Sequence, residues 1–135
     1  MRKPRSVPGP AAAESPAPRE PIVEDERRGP GRLEQRLRVP ETLVFCDGHF
    51  PGSPMVPGTV QLGWAIRGLE ALQGCPARVR SVEGLKFPSA LHPGDVAALN
   101  VAVSEDGCQM RFTLEAPGDT LRVFATGRCR LERTP

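Results

Sequence analysis

The chain of 135 residues predicts an α+β domain in which a curved antiparallel sheet wraps around one long central helix. Three observations carry this. One apolar helical segment is bounded by Pro57 on one side and by Gly74-Cys75-Pro76 on the other. A series of strand-like stretches separated by turn signals follows it. The length suits one domain with a modest core.

Residues 1–31 predict a disordered arm ahead of a folded domain at 32–135. The first thirty residues hold seven of the sixteen prolines, the Ala11-Ala12-Ala13 run and the mixed charges Glu24-Asp25-Glu26-Arg27-Arg28. They lack apolar periodicity, and proline disrupts both helix and sheet. Residues 32–45 read as extended, with Leu33, Leu37 and Val39 spaced by charged residues and Leu43-Val44-Phe45 closing the segment. Pro40 interrupts it, which points to an edge strand or a bend. The stretch from Asp47 to Pro57 is too rich in Gly and Pro for regular structure.

Pro57 suits a first-turn helix position, where its missing N–H costs nothing. Val60, Trp64, Ile66, Leu69, Ala71 and Leu72 make the helix apolar on most sides, while Arg67, Glu70 and Gln73 mark its wetter side. Gly63 and Gly68 lie inside it, each costing about 1 kcal/mol relative to Ala. A helix that tolerates both is held by its surroundings, so a buried central position is expected. Strands follow over 79–87 and 96–104, then around Met110, Phe112 and Leu114. In the last strand Leu121, Val123, Ala125, Gly127, Cys129 and Leu131 face one way, opposite Arg122, Phe124, Thr126, Arg128 and Arg130. Pro93-Gly94-Asp95, Asp106-Gly107 and Pro117-Gly118-Asp119 supply the turns.

Composition narrows the function. A net charge of +2 carries no nucleic-acid signature. Neither a bilayer-spanning apolar run nor a secretory leader is read, so a cytoplasmic protein is expected. The four cysteines, Cys46, Cys75, Cys108 and Cys129, are far apart and form no metal-ligand spacing. Free thiols in a reducing compartment are the reading taken.

The chemistry concentrates in Cys46-Asp47-Gly48-His49-Phe50-Pro51-Gly52-Ser53-Pro54-Met55-Val56-Pro57-Gly58. A rigid loop fixes one of only two histidines beside a helix start with unused backbone N–H donors. That pairs a general base with an oxyanion site. His92, before Pro93-Gly94, reads as a surface or hairpin histidine.

The run Gly48-His49-Phe50-Pro51-Gly52, then Pro54, Pro57-Gly58 and Gln61, with Phe87 and Pro93-Gly94-Asp95 further on, resembles the hotdog-fold 3-hydroxyacyl-acyl carrier protein dehydratases. Val39-Pro40, Phe45 and Val60-Gln61-Leu62 before Trp64 resemble the dehydratases of aryl polyene biosynthesis in particular. The resemblance implies a lyase of fatty acid, polyene or polyketide assembly that forms trans-2-enoyl thioesters. His49 would take the α-proton and the Gly58 N–H would hold the thioester oxygen. Phe50, Pro57, Gln61, Gly63 and Trp64 would line the substrate site. It implies acyl carrier protein as partner, phosphopantetheine arriving with that carrier, no other cofactor and no metal. It also implies a dimer with the active site at the subunit interface, either a homodimer or a heterodimer with another hotdog dehydratase.

One departure stands out. The family places Asp or Glu fourteen residues after the histidine, and here that position is Gly63. A slow enzyme using water, or an impaired subunit that binds carrier protein or a partner dehydratase, are both open on that ground. A hotdog thioesterase is a third reading. Arg122, Arg128 and Arg130 form a basic stripe that reads first as a solvated face and second, with Arg78 or Arg80, as a dock for an acidic carrier.

Overall fold

The computed structural model describes residues 20–41 and 55–132. Cys46, Asp47, His49 and Phe50, and the expected strand end at 43–45, lie outside the described residues. Seven elements run in chain order: β1 Ile22–Gly29, β2 Arg32–Arg38, α1 Gly58–Gln73, β3 Val79–Lys86, β4 Val96–Val103, β5 Gln109–Ala116 and β6 Asp119–Leu131. The strands form one sheet in the order β1-β2-β4-β5-β6-β3, with every neighbouring pair antiparallel.

The start of the domain requires a correction. The sequence places residues 22–31 in a disordered arm, yet β1 pairs along its length with β2. No side chain of β1 is buried, so it carries no apolar signature. Ladder hydrogen bonds and charge hold it instead. Glu24 meets Arg38 at 2.7 Å, and Arg28 Nε meets Glu26 at 2.7 Å. Hydrogen bonds from Gln35 and then Arg28 pull the Glu26 carboxyl below its usual range. Arg28 also donates to the Ala71 carbonyl at 2.9 Å, placing a cation at the negative end of α1. With β1 outside it, β2 is an interior strand rather than an edge, and Pro40 falls past its end.

The core lies between the sheet and one face of α1. Leu33, Leu37, Leu99, Val101, Met110, Phe112 and Leu114 are all at most 2 % exposed. They face Trp64, Ala65, Gly68 and Leu69 of the helix. Among the described residues the helix is therefore covered on one side rather than enclosed, and Gly63 and Ile66 on its outer side are half-buried. Gly68 is explained by close approach. A Cβ there would lie 3.0 Å from Leu99 Cδ2 and 3.4 Å from Leu33 Cδ2. Gly68→Val is expected to cost about 2 kcal/mol through overpacking, read as a lower urea midpoint at unchanged slope.

In β6 the expected alternation holds from Ala125 to Leu131 and fails before it. The register jumps from Leu114–Ala125 to Glu115–Val123, so Phe124 is an extra residue in a bulge. Phe124 turns into the core, and Leu121, expected to face inward, is 95 % exposed. Cys129 is buried, and desolvation pushes its thiol pKa up, which makes it unreactive. Among the described residues no helix is long and apolar enough to cross a membrane.

Candidate active site

The entry to α1 is built by three backbone ties. The Val56 N–H donates to Leu91 O at 2.8 Å, fixing the residues ahead of the helix against the segment that precedes β4. Val39 and the Pro93-Gly94-Asp95 turn hold each other through Val39 N–H to Asp95 O and Gly94 N–H to Val39 O, both 2.8 Å. Within that turn Asp95 Oδ2 accepts from the His92 N–H at 2.8 Å, and the His92 ring stays partly exposed beside it. His92 is thus a turn histidine, as its sequence context suggests.

Pro57 is the N-cap, one residue before the expected first-turn position, with φ −60° and ψ 146°. Its carbonyl accepts from Val60 and Gln61. The earlier helical N–H groups, on Gly58 and Thr59, come before any intrahelical acceptor is within reach. Among the described residues no side chain caps this terminus, and its first turn holds no acidic residue. Among the described residues, two donors and the positive end of the helix dipole are left for an anion or a polarised carbonyl oxygen.

The other expected site residues separate by helix face. Gln61 is 3 % exposed and its Nε2 donates to Val56 O at 3.1 Å. Its Oε1 is buried with no hydrogen-bond partner among the described residues. Gly63, two residues on, points about 160° away around the helix axis. The two therefore cannot serve one reacting atom, and Gln61 braces the helix entrance from the sheet side. Trp64 is 4 % exposed and packs in the core. Gly63 is half-buried, and a Cβ there would meet nothing within 4 Å among the described residues. Glu70, the nearest acid along the helix, accepts the Ala77 N–H at 2.9 Å and is committed to the chain turn after α1.

A residue that side-chain chemistry does not single out is Phe87. It follows β3 and is 41 % exposed, and its ring tip lies against Gly58. The basic stripe is partly neutralised: Arg130 and Arg128 sit 3.0 and 3.9 Å from Glu83, and Arg122 lies 5.3 Å over the Phe124 ring.

Comparison with known proteins decides the family. The model of a family described as ApeI-like, ApeI dehydratase, matches residues 25–128, more than half of the chain. The chain belongs to the ApeI-like dehydratase family. Solved structures agree on the hotdog fold. The dehydratase heterocomplex ApeI:P from Xenorhabdus doucetiae superposes with a TM-score of 0.76 at 24 % identity, covering 84 % of this chain and 99 % of that one. An uncharacterised protein from Erwinia carotovora gives 0.69 at 26 % identity, covering 84 % and 94 %. The 3-hydroxyacyl-[acyl-carrier-protein] dehydratase FabZ of Lactobacillus helveticus is 35 % identical over 68 residues, 45 % of this chain and 46 % of that protein. The chain thus spans about half the length of the curated relatives it matches. The ApeI-like match begins inside β1, in keeping with the corrected start of the domain.

Proposed function

We propose that this ApeI-like protein is a 3-hydroxyacyl-thioester dehydratase acting on acyl groups borne by acyl carrier protein. The observation that carries the reading is the start of α1 at Gly58, uncapped among the described residues and six positions after the Gly-His-Phe-Pro-Gly motif ends at Gly52. His49 removes the α-proton. The thioester oxygen gains negative charge and is held by the Gly58 N–H, where the helix dipole favours it. The C–O bond at the β-carbon then breaks, and the departing hydroxyl takes a proton to leave as water. A carboxyl group at position 63 would normally supply that proton. Here the space beside Gly63, open among the described residues, suits a water molecule that takes the proton from His49 and passes one to the departing hydroxyl. Phosphopantetheine comes with the carrier, and the chemistry needs no metal or redox group. The setting is cytoplasmic fatty acid, polyene or polyketide assembly.

A second reading has its own support. Gly63 lacks an acid, the outer face of α1 is only half-buried, and the edge strand β3 exposes Val82 and Leu85. These features suit pairing with a second hotdog chain, whether a copy of this one or a different dehydratase. In the heteromeric case this chain contributes binding and structure while its partner carries more of the chemistry.

Incubation of the purified protein with 3-hydroxyacyl-acyl carrier protein, followed by mass spectrometry of the carrier, separates the readings. Loss of water from the acyl group supports the dehydratase. Inertness alone, with acceleration of an added partner dehydratase, supports the second reading. Release of free acid and carrier thiol would overturn both in favour of a thioesterase.

A further inference from the structure

Gly58 does not owe its identity to backbone conformation, since it begins an ordinary right-handed helix. It owes it to space. A Cβ at residue 58 would lie 2.5 Å from Phe87 Cζ, 2.7 Å from Cε2 and 3.0 Å from Cε1. All three are atoms of the ring's far end, so the ring points its tip at the helix start. Phe87 is otherwise a poor core residue, 41 % exposed at the end of an edge strand. An exposed aromatic ring is thus pressed against the stretch of backbone whose donors have no partner among the described residues. Standard backbone geometry puts the ring tip within about 5 Å of the Gly58 nitrogen. An oxygen accepting from that N–H stands about 2.9 Å away. The carbonyl carbon and the α-carbon of a bound thioester therefore come up beside the ring.

We propose that Phe87 is a specificity-determining residue that forms the wall of the oxyanion pocket. It admits acyl groups whose α-carbon is unbranched and refuses those with an α-methyl group. A methyl on that carbon competes with the ring tip for the space beside the Gly58 backbone, which is too narrow even for a Cβ at residue 58. The inference rests on the reading of Gly58 as the oxyanion donor and adds to it a substrate class, α-unsubstituted 3-hydroxyacyl thioesters.

The test uses the full chain and unreactive probes, so it does not depend on turnover. The probes are pantetheine ketones in which CH2 replaces the thioester sulfur, bearing 3-hydroxyhexanoyl or 2-methyl-3-hydroxyhexanoyl chains. Calorimetry on the unsubstituted protein is expected to show preference for the linear probe by about tenfold or more, the usual worth of one excluded methyl. Phe87→Ala should collapse that preference, and Phe87→Leu, which keeps a wall, should retain most of it. A second measurement addresses the steric contact alone. Gly58→Ala should lower the melting temperature markedly in the natural background and little in Phe87→Ala. Equal affinity for the two probes, or a preference that survives Phe87→Ala, would overturn the proposal while leaving the site intact. An additive melting cycle would overturn the contact on which it is built. Failure of both probes to bind would sink the site reading and the proposal together.

Discussion

Replacing His49 with alanine is expected to lower elimination by about 10²–10⁴-fold, the usual contribution of a general base. The α-proton of a thioester is a weak acid, so its removal at neutral pH needs a base held at hydrogen-bond distance while charge grows on the carbonyl oxygen. In the proposed mechanism the Gly58 end of α1 stabilises the second half of that event and cannot perform the first. Some activity should therefore survive in the variant, because the oxyanion donors and the acyl binding surface remain. Substrate affinity should change less than the turnover number, since an interaction made mainly in the transition state affects the rate more than the ground state. The acid limb that a histidine base imposes on the pH–rate profile should disappear with it. A thermal melt of the His49→Ala protein beside the rate measurement separates loss of the base from loss of the fold. Full activity in a folded His49→Ala protein would place the base elsewhere.

The parts of this molecule that were legible from sequence are those where a physical constraint acts on neighbouring residues. Strands β4 and β5 announce themselves because Leu99 and Val101, and then Met110, Phe112 and Leu114, alternate into one core. The helix ends are legible because Pro57 cannot donate a backbone hydrogen bond and Gly74 adopts a left-handed conformation, φ 75°. Strand β1 was not legible, because pairing and ion pairs hold it without burying a side chain. The bulge at Phe124 inverted the expected faces of Leu121 and Val123, because an inserted residue shifts a two-residue period by one. In the site, the helix entrance could be read from Pro57-Gly58. The opposite orientations of Gln61 and Gly63 could not, because choosing the buried face of an all-round apolar helix requires knowing where the sheet lies. The contact between Phe87 and Gly58 joins distant segments and leaves no local pattern. The hotdog fold is legible in the composite motif, and the family match extends well beyond that motif, over residues 25–128.

Gly63→Asp is expected to raise elimination by about 10²-fold or more, because it restores an acid where the departing hydroxyl needs a proton. The local structure favours the experiment. A Cβ at residue 63 meets nothing within 4 Å among the described residues, so the side chain enters open space. Aspartate is also a better helix former than glycine by a few tenths of a kcal/mol, so the fold should gain slightly. The position lies on the outer side of α1, away from the sheet-facing Gln61, and the new carboxyl does not disturb the brace that Gln61 makes to Val56. Gly63→Asn provides the control: it matches the size of aspartate but has no acidic proton, so a gain confined to Asp identifies proton donation. A gain shared by both would instead report better packing or exclusion of water. The response also separates the two readings of the protein. If this chain acts alone with a water in place of the acid, Gly63→Asp accelerates the isolated protein. If a partner subunit carries the chemistry, the variant changes the isolated protein and leaves the rate of the complex where it was. A folded Gly63→Asp protein that binds acyl carrier substrate yet shows no gain in either setting would mean that glycine at this position is not what limits the reaction.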